Sequence, residues 1–503
     1  MSGQQHSIPL PTCALVVFGA SGDLARRKIV PALFALWIEK RLPRNLQVVG
    51  FARTPFTPDE FRDSLHSGVL EHGRIKPPDR STWEHFAAHL HYCPGRYDAL
   101  EYYSVLRDLL VHLDERFTLS GNRLFYLAVP PSEFEPIIQN LAHSGLLTPH
   151  ADRPWARVIV EKPFGRDLES ARSLNRLMVE TVDERHIFRI DHYMAKETVQ
   201  NIMALRFANS IFEPIWNRKY IDHVQVTAAE DIGIEGRGRF YEQTGVLRDV
   251  VQSHLLEILA LVTLEPPVVN DPDNFRDKKV EALRSIRILS PAEVPTHAVP
   301  GQYRGYRSEP HVAPDSRMAT FAAIKFYIDN WRWQGVPFYL RAGKRLRTRL
   351  TEVAIHFQPI PLCLFCRDEA CAAIRPNTLT LRIQPDEGIS LGFMAKTPGE
   401  TLAMRPVSMD FLYRTQFDRP PMEAYERALL DCLRGDQTLL WRSDGVEIAW
   451  KVVSPILERW EAADLDVPLY EPGTDGPDAA QDLLRRDSRS WRPLTLPNAS
   501  PRA

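Results

Sequence analysis

Residues 189–198 read RIDHYMAKET and place several reactive side chains directly behind the apolar stretch HIFRI. Asp191, His192, Tyr193 and Lys196 supply a carboxylate, an imidazole, a phenol and an ammonium group. If a helix begins near Asp191, then His192 and Lys196 share one helix face beside the positive helix N-terminus. A helix cap would explain Asp191 alone, whereas the two neighbouring donors indicate a phosphate-binding site.

A second polar position follows another apolar run, in VIVEKPFG. Lys162 stands at the carboxyl end of a predicted strand, and in a parallel sheet that edge faces the ligand crevice. Pro163 has no N–H donor and keeps Lys162 out of helical conformation. A structural salt bridge is the alternative, but a lysine at this edge is well placed to donate a hydrogen bond to a substrate hydroxyl.

A third group of candidates lies later in the chain, in QTGVLRDVVQSHLLE. Asp249 and His254 would be about 140° apart around an α-helix, so that both could border one cavity. Such a histidine is often only a core residue, but it is also the best general base near pH 7 when a carboxylate orients it. RAGKRLRTRL, with Lys344 and Arg349, is either a solvated basic face or a contact for an anionic substrate.

A glycine-containing turn, FGASGDLARRK, follows the first predicted strand and opens a helix. Backbone N–H groups at such a helix start bind the pyrophosphate of a dinucleotide. The turn departs from G-x-G-x-x-G, and a plain strand-turn-helix corner is the alternative. No G-x-x-x-x-G-K-[ST] motif is present, which disfavours P-loop chemistry. The predicted cofactor-binding residues of this turn are Gly19, Ala20, Ser21, Gly22, Asp23 and Leu24.

The end of the second predicted strand indicates which dinucleotide binds. An NAD site usually has Asp or Glu at this point, whereas this chain has Arg53 followed by Thr54. A cation and a hydroxyl suit a 2′-phosphate, so the predicted cofactor is NADP. A solvated surface arginine is the alternative interpretation of Arg53.

The elements that must position these residues divide the chain into two parts. Apolar strand-like runs alternate with helical stretches over the first part, which predicts a Rossmann-like doubly wound parallel sheet over residues 12–196. Later strand candidates follow one another without helices, which predicts a large, mainly antiparallel sheet with helices on one face over residues 197–495. The strand candidates are CALVVFG, LQVVGFA, RLFYLAVP, RVIVEKP and HIFRID in the first domain, and HVQVTAAED, AAIKFYIDN, EVAIHFQPI, NTLTLRIQP and GISLGFMA in the second.

Composition excludes several classes of protein. A 503-residue chain is too long for one hydrophobic core, and 62 Lys plus Arg against 64 Asp plus Glu leave no surplus charge for nucleic acid. LLEILALVTL carries Glu257 and is far shorter than the roughly 20 residues that span a bilayer, so we expect a core helix and no membrane contact. The N-terminus lacks the pattern of a secretory signal, which predicts a cytoplasmic protein.

Six cysteines do not form a disulfide framework in a chain of this length. In PLCLFCRDEAC, Cys363, Cys366 and Cys371 begin like a zinc knuckle, with His356 as a possible fourth ligand. No second CxxC follows, so thiols in a variable loop are the favoured interpretation.

Together these segments resemble the glucose-6-phosphate dehydrogenase family, and the resemblance covers nearly the whole chain. Several motifs in one order are far more specific than any one of them. The segments that carry the resemblance are GASGDLA, EKPFGRDL, RIDHY followed by KE, RDVVQSHLL, RAGK, NTLTLRIQPDEGI and YERALLDCLRGDQTLLWRSDGVEIAW.

The resemblance implies oxidation of glucose 6-phosphate to 6-phospho-D-glucono-1,5-lactone with hydride transfer to NADP, the first step of the oxidative pentose phosphate pathway. It implies that His254 is the general base for the anomeric hydroxyl and that Asp191 orients and stabilises its imidazole. No metal is then needed, and a homodimer or homotetramer built on the large sheet is expected. The implied substrate contacts are His192, Tyr193 and Lys196 at the phosphate, Glu230 and Asp249 at sugar hydroxyls, Lys162 between substrate and cofactor, and Lys344 and Arg349.

The chain departs from the family pattern at a few positions. DHYMAKE stands where the family has DHYLGKE, and Ala195 in place of glycine is tolerated only if φ is not positive there. Met194 in place of leucine keeps the volume and apolar character of the side chain. Eukaryotic members bind a second, structural NADP, and we predict that this site is absent because Leu350, Ala354, Ser390 and Gly392 stand at comparable positions.

Two other functions are compatible with parts of this pattern. A sugar dehydrogenase resembling glucose-fructose oxidoreductase also combines a Rossmann domain, an EKP motif and an antiparallel sheet, but it has a fuller G-x-G-x-x-G and no need of the DHY cluster. An NADP-sensing regulator could keep the fold without catalysis, although the presence of both Asp191 and His254 argues against it.

Overall fold

A computed structural model describes residues 10–147, 154–362, 364, 374–399, 404–417, 422–462 and 464–495. These residues form two compact units. The first unit contains the chain up to Ala195 together with Val269–Arg276 and Met422–Val446, and the second unit contains the rest. Two segments that the predicted boundary at residue 196 assigns to the second domain therefore pack within the first unit.

The first unit is built on a parallel sheet in the order β3-β2-β1-β4-β5-β6. Apolar runs such as ALVVF are buried along their whole length, because both faces of a parallel sheet are covered. This confirms the predicted Rossmann-like doubly wound sheet. The strands are β1 (Ala14–Phe18), β2 (Gln47–Ala52), β3 (Leu90–Pro94), β4 (Arg123–Leu127), β5 (Ala156–Glu161) and β6 (Ile187–Ile190).

Helices connect these strands, and three of them begin at side-chain caps. Thr57, Asp79 and Asp167 accept hydrogen bonds from the backbone of the first turns of the helices that follow them, which satisfies donors that the helix itself leaves unpaired. The helices of the first unit are α1 (Val30–Ile38), α2 (Pro58–His72), α3 (Arg80–Ala87), α4 (Glu101–Phe117), α5 (Phe134–His143), α6 (Leu168–Thr181) and α13 (Ala424–Arg434), with a π-helix at Ala25–Ile29 and 3₁₀ turns at Pro131–Glu133 and Glu184–His186.

The second unit contains a nine-stranded sheet in the order β14-β13-β12-β11-β7-β10-β9-β8-β15. Its pairs are antiparallel except for β7 with β10 and β8 with β15, so the mainly antiparallel prediction is confirmed and the sheet is mixed. Its strands are β7 (Ile221–Ala229), β8 (Ala298–Tyr303), β9 (Phe321–Tyr327), β10 (Pro337–Gly343), β11 (Leu350–Phe357), β12 (Thr378–Gln384), β13 (Gly388–Lys396), β14 (Met404–Leu412) and β15 (Leu469–Tyr470).

The helices of the second unit include a buried apolar segment, LEILALVT, which is the predicted core helix. In the described part of the chain, no helix combines the length and apolar character needed to cross a membrane. The helices are α7 (Glu197–Phe207), α8 (Gly238–Val246), α9 (Leu256–Thr263), α10 (Pro272–Arg284), α11 (Val294–His297), α12 (Tyr413–Gln416), α14 (Ser443–Glu461) and α15 (Asp478–Arg485), with a π-helix at Leu247–Leu255 and 3₁₀ turns at Glu213–Ile215 and Tyr306–Ser308; α10 and α14 begin in the first unit.

Several of the strands that were not predicted from the sequence are short or lack a regular apolar pattern. β3 (LHYCP) interrupts its apolar residues with a histidine, and β8 (AVPGQY) contains a proline and a glycine. β14 (MRPVSMDFL) contains a proline, and none of its residues is buried. These segments become strands because neighbouring strands supply hydrogen-bond partners, which local composition does not reveal.

Candidate active site

The predicted residues of the first unit lie at one edge of its sheet. All six strands are parallel, so their carboxyl ends meet there, and the register pairs Phe18 with Phe51 and Glu161 with Ile190. The segments after β1, β2, β5 and β6 therefore emerge side by side. This is the edge at which doubly wound sheets bind their ligands.

The turn after β1 has the shape that a phosphate group requires. Gly19 has φ of 81°, and a Cβ atom there would collide with the carbonyl oxygen of Ala128. Its N–H donates to the Phe51 oxygen at 2.9 Å, which ties the turn to β2. Residues 21–23 are exposed where the following helix begins, a place at which anions bind, and the turn is closed by the Gly22 N–H, which donates to the Gly19 oxygen at 2.8 Å.

Arg53 and Thr54 stand beside this turn. The Thr54 hydroxyl donates to Ser21 Oγ at 2.9 Å, which joins the end of β2 to the glycine turn. The Arg53 guanidinium lies 5.3 Å from the centre of the Tyr97 ring and 3.5 Å from a carboxylate oxygen of Glu133. Its side chain is 64% exposed, so the cation is accessible to a ligand.

The RIDHY segment differs from its predicted form, because no helix begins near Asp191. Residues 192–195 form a turn, and α7 begins only at Glu197, with Lys196 in extended conformation before it. The Asp191 carboxylate accepts a hydrogen bond at 2.9 Å from the backbone N–H of Tyr193, two residues on. Aspartate often forms such a turn in competition with a helix. His192 and Lys196 therefore do not share a helix face.

Ala195 does not have a positive φ, so the methyl group that replaces the hydrogen of glycine causes no left-handed strain there. Lys196 belongs to the second unit, where its ammonium group donates to Gln384 Oε1 at 2.5 Å. The glycine of the family pattern is thus not required by the backbone of this chain.

His192 has an aromatic partner, Tyr425, that the sequence did not predict. The rings of His192 and Tyr425 are stacked at 6.3 Å with an angle of 14°, and Tyr193 meets the same imidazole edge-on at 5.1 Å. Tyr425 is on α13, far along the chain from His192. No spacing rule connects the two positions, so only the packing of the first unit reveals the contact.

Next to Lys162, a buried carboxyl group joins two phenols. The Tyr126 hydroxyl donates to Glu161 Oε1 at 2.6 Å. Burial raises the pKa of Glu161 to about 7, against the opposing effects of Tyr126, Lys162 and Tyr425. Burial raises the pKa of Tyr425, and the Glu161 carboxyl group raises it further. Glu161 therefore links β4, β5 and α13 at the edge where the candidate residues lie.

In the second unit, two candidates lie at the ends of neighbouring parallel strands. β7 and β10 pair Ala229 with Gly343, so the next residues, Glu230 and Lys344, stand side by side. Their carboxylate and ammonium groups form an ion pair, in which the Lys344 side chain is 4% exposed. The Tyr470 hydroxyl donates to the Lys344 carbonyl oxygen at 2.6 Å and holds this strand end.

Asp249 and His254 lie on the π-helix rather than on an α-helix. Its i→i+5 hydrogen bonds bring residues five positions apart to nearly the same face, so the expected 140° separation is wrong. The π-helix packs against β7 and β10, His254 is buried, and Asp249 is half-buried. A kink at Gly245, with φ of 57°, lies within α8, two residues before this π-helix begins.

Of the remaining candidate residues, Arg349, Lys162 and His356 lie within the described part of the chain, and three cysteines do not. Arg349 is exposed just before β11, at the sheet edge that also carries Glu230. Lys162 is half-buried after β5. Cys363, Cys366 and Cys371 are outside the described residues, so the zinc interpretation stays untested, as does the predicted absence of a second NADP site. His356 stacks on His223 at 4.2 Å.

Comparison with known proteins covers both units. Residues 16–201 match the family described as "Glucose-6-phosphate dehydrogenase, NAD binding domain", and residues 203–492 match "Glucose-6-phosphate dehydrogenase, C-terminal domain". The chain is 45% identical over 498 residues to "Glucose-6-phosphate 1-dehydrogenase" of Chlamydia pneumoniae, covering 96% of each chain. The protein of that name from Bacillus subtilis is 38% identical, with 96% of this chain and 98% of the relative covered.

Solved structures agree with these sequence matches. The crystal structure of "Glucose-6-phosphate 1-dehydrogenase from Mycobacterium avium" has a TM-score of 0.84 and 38% identity, covering 97% of this chain and 100% of that one. A structure titled "Glucose-6-phosphate dehydrogenase in complex with its substrate glucose-6-phosphate" has a TM-score of 0.88 and 34% identity, with the same coverage.

Proposed function

The chain belongs to the glucose-6-phosphate dehydrogenase family, and we propose that it oxidises D-glucose 6-phosphate to 6-phospho-D-glucono-1,5-lactone with NADP as the cofactor. The observation that carries this proposal is the match of both units, over nearly the full chain, to that one family. The reaction would be the first step of the oxidative pentose phosphate pathway.

The choice of NADP is supported by the end of β2. Arg53 offers an accessible cation and Thr54 a hydroxyl already tied to Ser21, beside an exposed glycine turn at a helix start, a position that suits a pyrophosphate. These groups fit a dinucleotide with a 2′-phosphate. We assign residues 19–24 to the pyrophosphate and Arg53 to the 2′-phosphate. When bound, NADP supplies the hydride acceptor.

We assign the proton chemistry to His254. Its buried imidazole would accept the proton of the anomeric hydroxyl as hydride leaves that carbon, and the family resemblance makes Asp191 the carboxylate that orients the ring and stabilises its cation. A general base of this kind contributes roughly 10²–10⁴-fold to a rate. Removing the base should therefore reduce turnover more than it reduces substrate binding.

The substrate contacts follow the same resemblance. His192, Tyr193 and Lys196 would bind the 6-phosphate, to which a cation and neutral donors are suited. Glu230 and Asp249 would accept hydrogen bonds from sugar hydroxyls, and Lys162 would donate to substrate and cofactor. Lys344 and Arg349 are assigned further substrate contacts. The ion pair between Lys344 and Glu230 supports a shared role, because each orients the other.

We further propose a homodimer or homotetramer built on the large sheet, working in the cytoplasm without nucleic acid or membrane partners. The oligomer is proposed from the family resemblance alone. The described cysteines Cys13, Cys93 and Cys432 are free thiols, which is compatible with a reducing compartment.

The test is a direct comparison of substrates and cofactors with the purified full chain. NADPH formation should be fast with glucose 6-phosphate and NADP, and much slower with free glucose at the same concentration. Equal turnover of both sugars would refute the phosphate site and favour a sugar dehydrogenase like glucose-fructose oxidoreductase. NADP binding without turnover of either sugar would support a sensor instead.

A further inference from the structure

We propose that Glu161 and Tyr425 are positioning residues that hold the His192 imidazole in place for the substrate phosphate. The inference rests on the proposed function, since it assumes that His192 binds this phosphate. The sequence of contacts runs from Tyr126 through Glu161 and Tyr425 to His192, and every member belongs to the first unit.

The need for a positioning group follows from where His192 lies. It stands in a turn rather than in a helix or strand, and its side chain is only half-buried. Histidine in such a place has two side-chain torsions to fix before it can donate to a ligand, and fixing them costs conformational entropy. The Tyr425 ring, nearly parallel to the imidazole at 14°, restricts rotation of the imidazole plane.

Tyr425 is in turn held at its hydroxyl end. Its own side chain is also half-buried, so stacking alone would leave the ring free to shift. The Glu161 carboxyl group, which is 8% exposed, interacts with the Tyr425 phenol and accepts a hydrogen bond from Tyr126 at 2.6 Å. Tyr126 is fully buried on β4, so the carboxyl group is anchored to the central part of the sheet.

The surroundings of Glu161 explain why a carboxyl group is used here. Burial disfavours the charged form of Glu161, as does the Asp191 carboxylate, whereas Lys162, the next residue in the chain, favours it. The buried Cys432 thiol of α13 also faces it. An ionised carboxylate can accept hydrogen bonds from both phenols at once, whereas the amide of glutamine has only one acceptor oxygen.

The first experiment compares two phenol-to-phenyl changes that remove a hydroxyl from the same carboxyl group. Tyr425→Phe keeps the ring but removes its hydroxyl contact with Glu161, and should raise KM for glucose 6-phosphate by about 2- to 10-fold, the range of one hydrogen bond, with little change in kcat. Tyr126→Phe should lower the melting temperature but change KM less than about twofold, because Tyr126 does not stack on His192. If both variants raised KM equally, these residues would only support the fold in general, and the proposal would be overturned.

The second experiment asks whether Tyr425 acts through His192. In a His192→Ala background, Tyr425→Phe should have no further effect on KM, since residues of one network are not additive. Glu161→Gln combined with Tyr425→Phe should likewise match the larger single effect. If Glu161→Gln fails to fold, Tyr425→Phe and Tyr425→Leu still test the positioning role, because Tyr425 is only half-buried. The larger increase in KM is expected for Tyr425→Leu, which also removes the ring.

The outcomes also separate this inference from the proposed function. If His192→Ala leaves KM for glucose 6-phosphate unchanged, the phosphate role of His192 fails and the inference fails with it. If His192→Ala raises KM but Tyr425→Phe and Tyr425→Leu do not, only the positioning role is wrong. KM for NADP serves as the internal reference and should stay constant in the Tyr425 variants.

Discussion

The two units present their candidate residues at strand ends in different ways. In the first unit every strand is parallel, and Arg53 reaches solvent from the segment after β2 with 64% of its side chain exposed. In the second unit only β7 and β10 bring parallel ends together near the candidates, and the Lys344 side chain there is 4% exposed. His254 is also buried, on a helix that packs against these two strands.

Because of this difference in exposure, replacing a candidate residue should have different effects in the two units. An exposed loop residue can be changed without leaving a buried group unsatisfied, so its replacement should affect the ligand alone. A buried charge must keep its partner, so its replacement should also destabilise the fold. We therefore expect variants in the second unit to change both function and stability, and Arg53 variants to change cofactor binding only.

The largest expected effect is that of His254→Asn. Loss of the general base should lower kcat by about 10³-fold, while KM for glucose 6-phosphate changes by no more than a few-fold. Steady-state kinetics with saturating NADP measure both constants. A variant with near-normal kcat would show that another group removes the proton.

Glu230→Gln should have the next largest effect. It leaves the buried Lys344 ammonium without its carboxylate, which should lower the free energy of unfolding by about 2–4 kcal/mol and raise KM for glucose 6-phosphate. Denaturant unfolding followed by tryptophan fluorescence measures the first effect. The matched control is Glu471→Gln, which removes one partner of the exposed pair Arg304–Glu471 and should cost less than about 1 kcal/mol.

Arg53→Ala is expected to have the smallest effect and to act on binding alone. Loss of one exposed charge-assisted contact should weaken NADP binding roughly tenfold and leave NAD binding and the melting temperature unchanged. Titration of both dinucleotides checks this. Glu133→Gln, which removes the carboxylate beside Arg53, should not weaken NADP binding. An equal loss for NAD and NADP would mean that Arg53 does not face the 2′-phosphate.

Apolar runs and short motifs in the sequence were enough to predict most strands of the first unit. The predicted strands around Val16, Val49 and Ile159 are present with ends that differ by one or two residues, because buried parallel strands read as continuous apolar runs. The glycine turn after β1 was also found from its place between strand and helix. β3 was missed because it is short and a histidine interrupts its apolar residues.

Two site features were predicted in the wrong local form. Asp191 was expected to begin a helix, but its carboxylate bonds to the Tyr193 backbone and makes a turn. Asp249 and His254 were expected on an α-helix, but a π-helix carries them. In both places several backbone hydrogen-bond patterns are close in energy, so side-chain contacts and packing decide between them.

By itself, the sequence determined the family, the two kinds of sheet and the residues that stand at strand ends, because periodicity and ordered motifs are local properties of the chain. Only the tertiary structure decided which of those residues meet. The pair Glu230–Lys344 depends on β7 and β10 being neighbours, and the stack of Tyr425 on His192 depends on where α13 packs. Strand order and packing join segments that are distant in the chain, and no local spacing encodes such contacts.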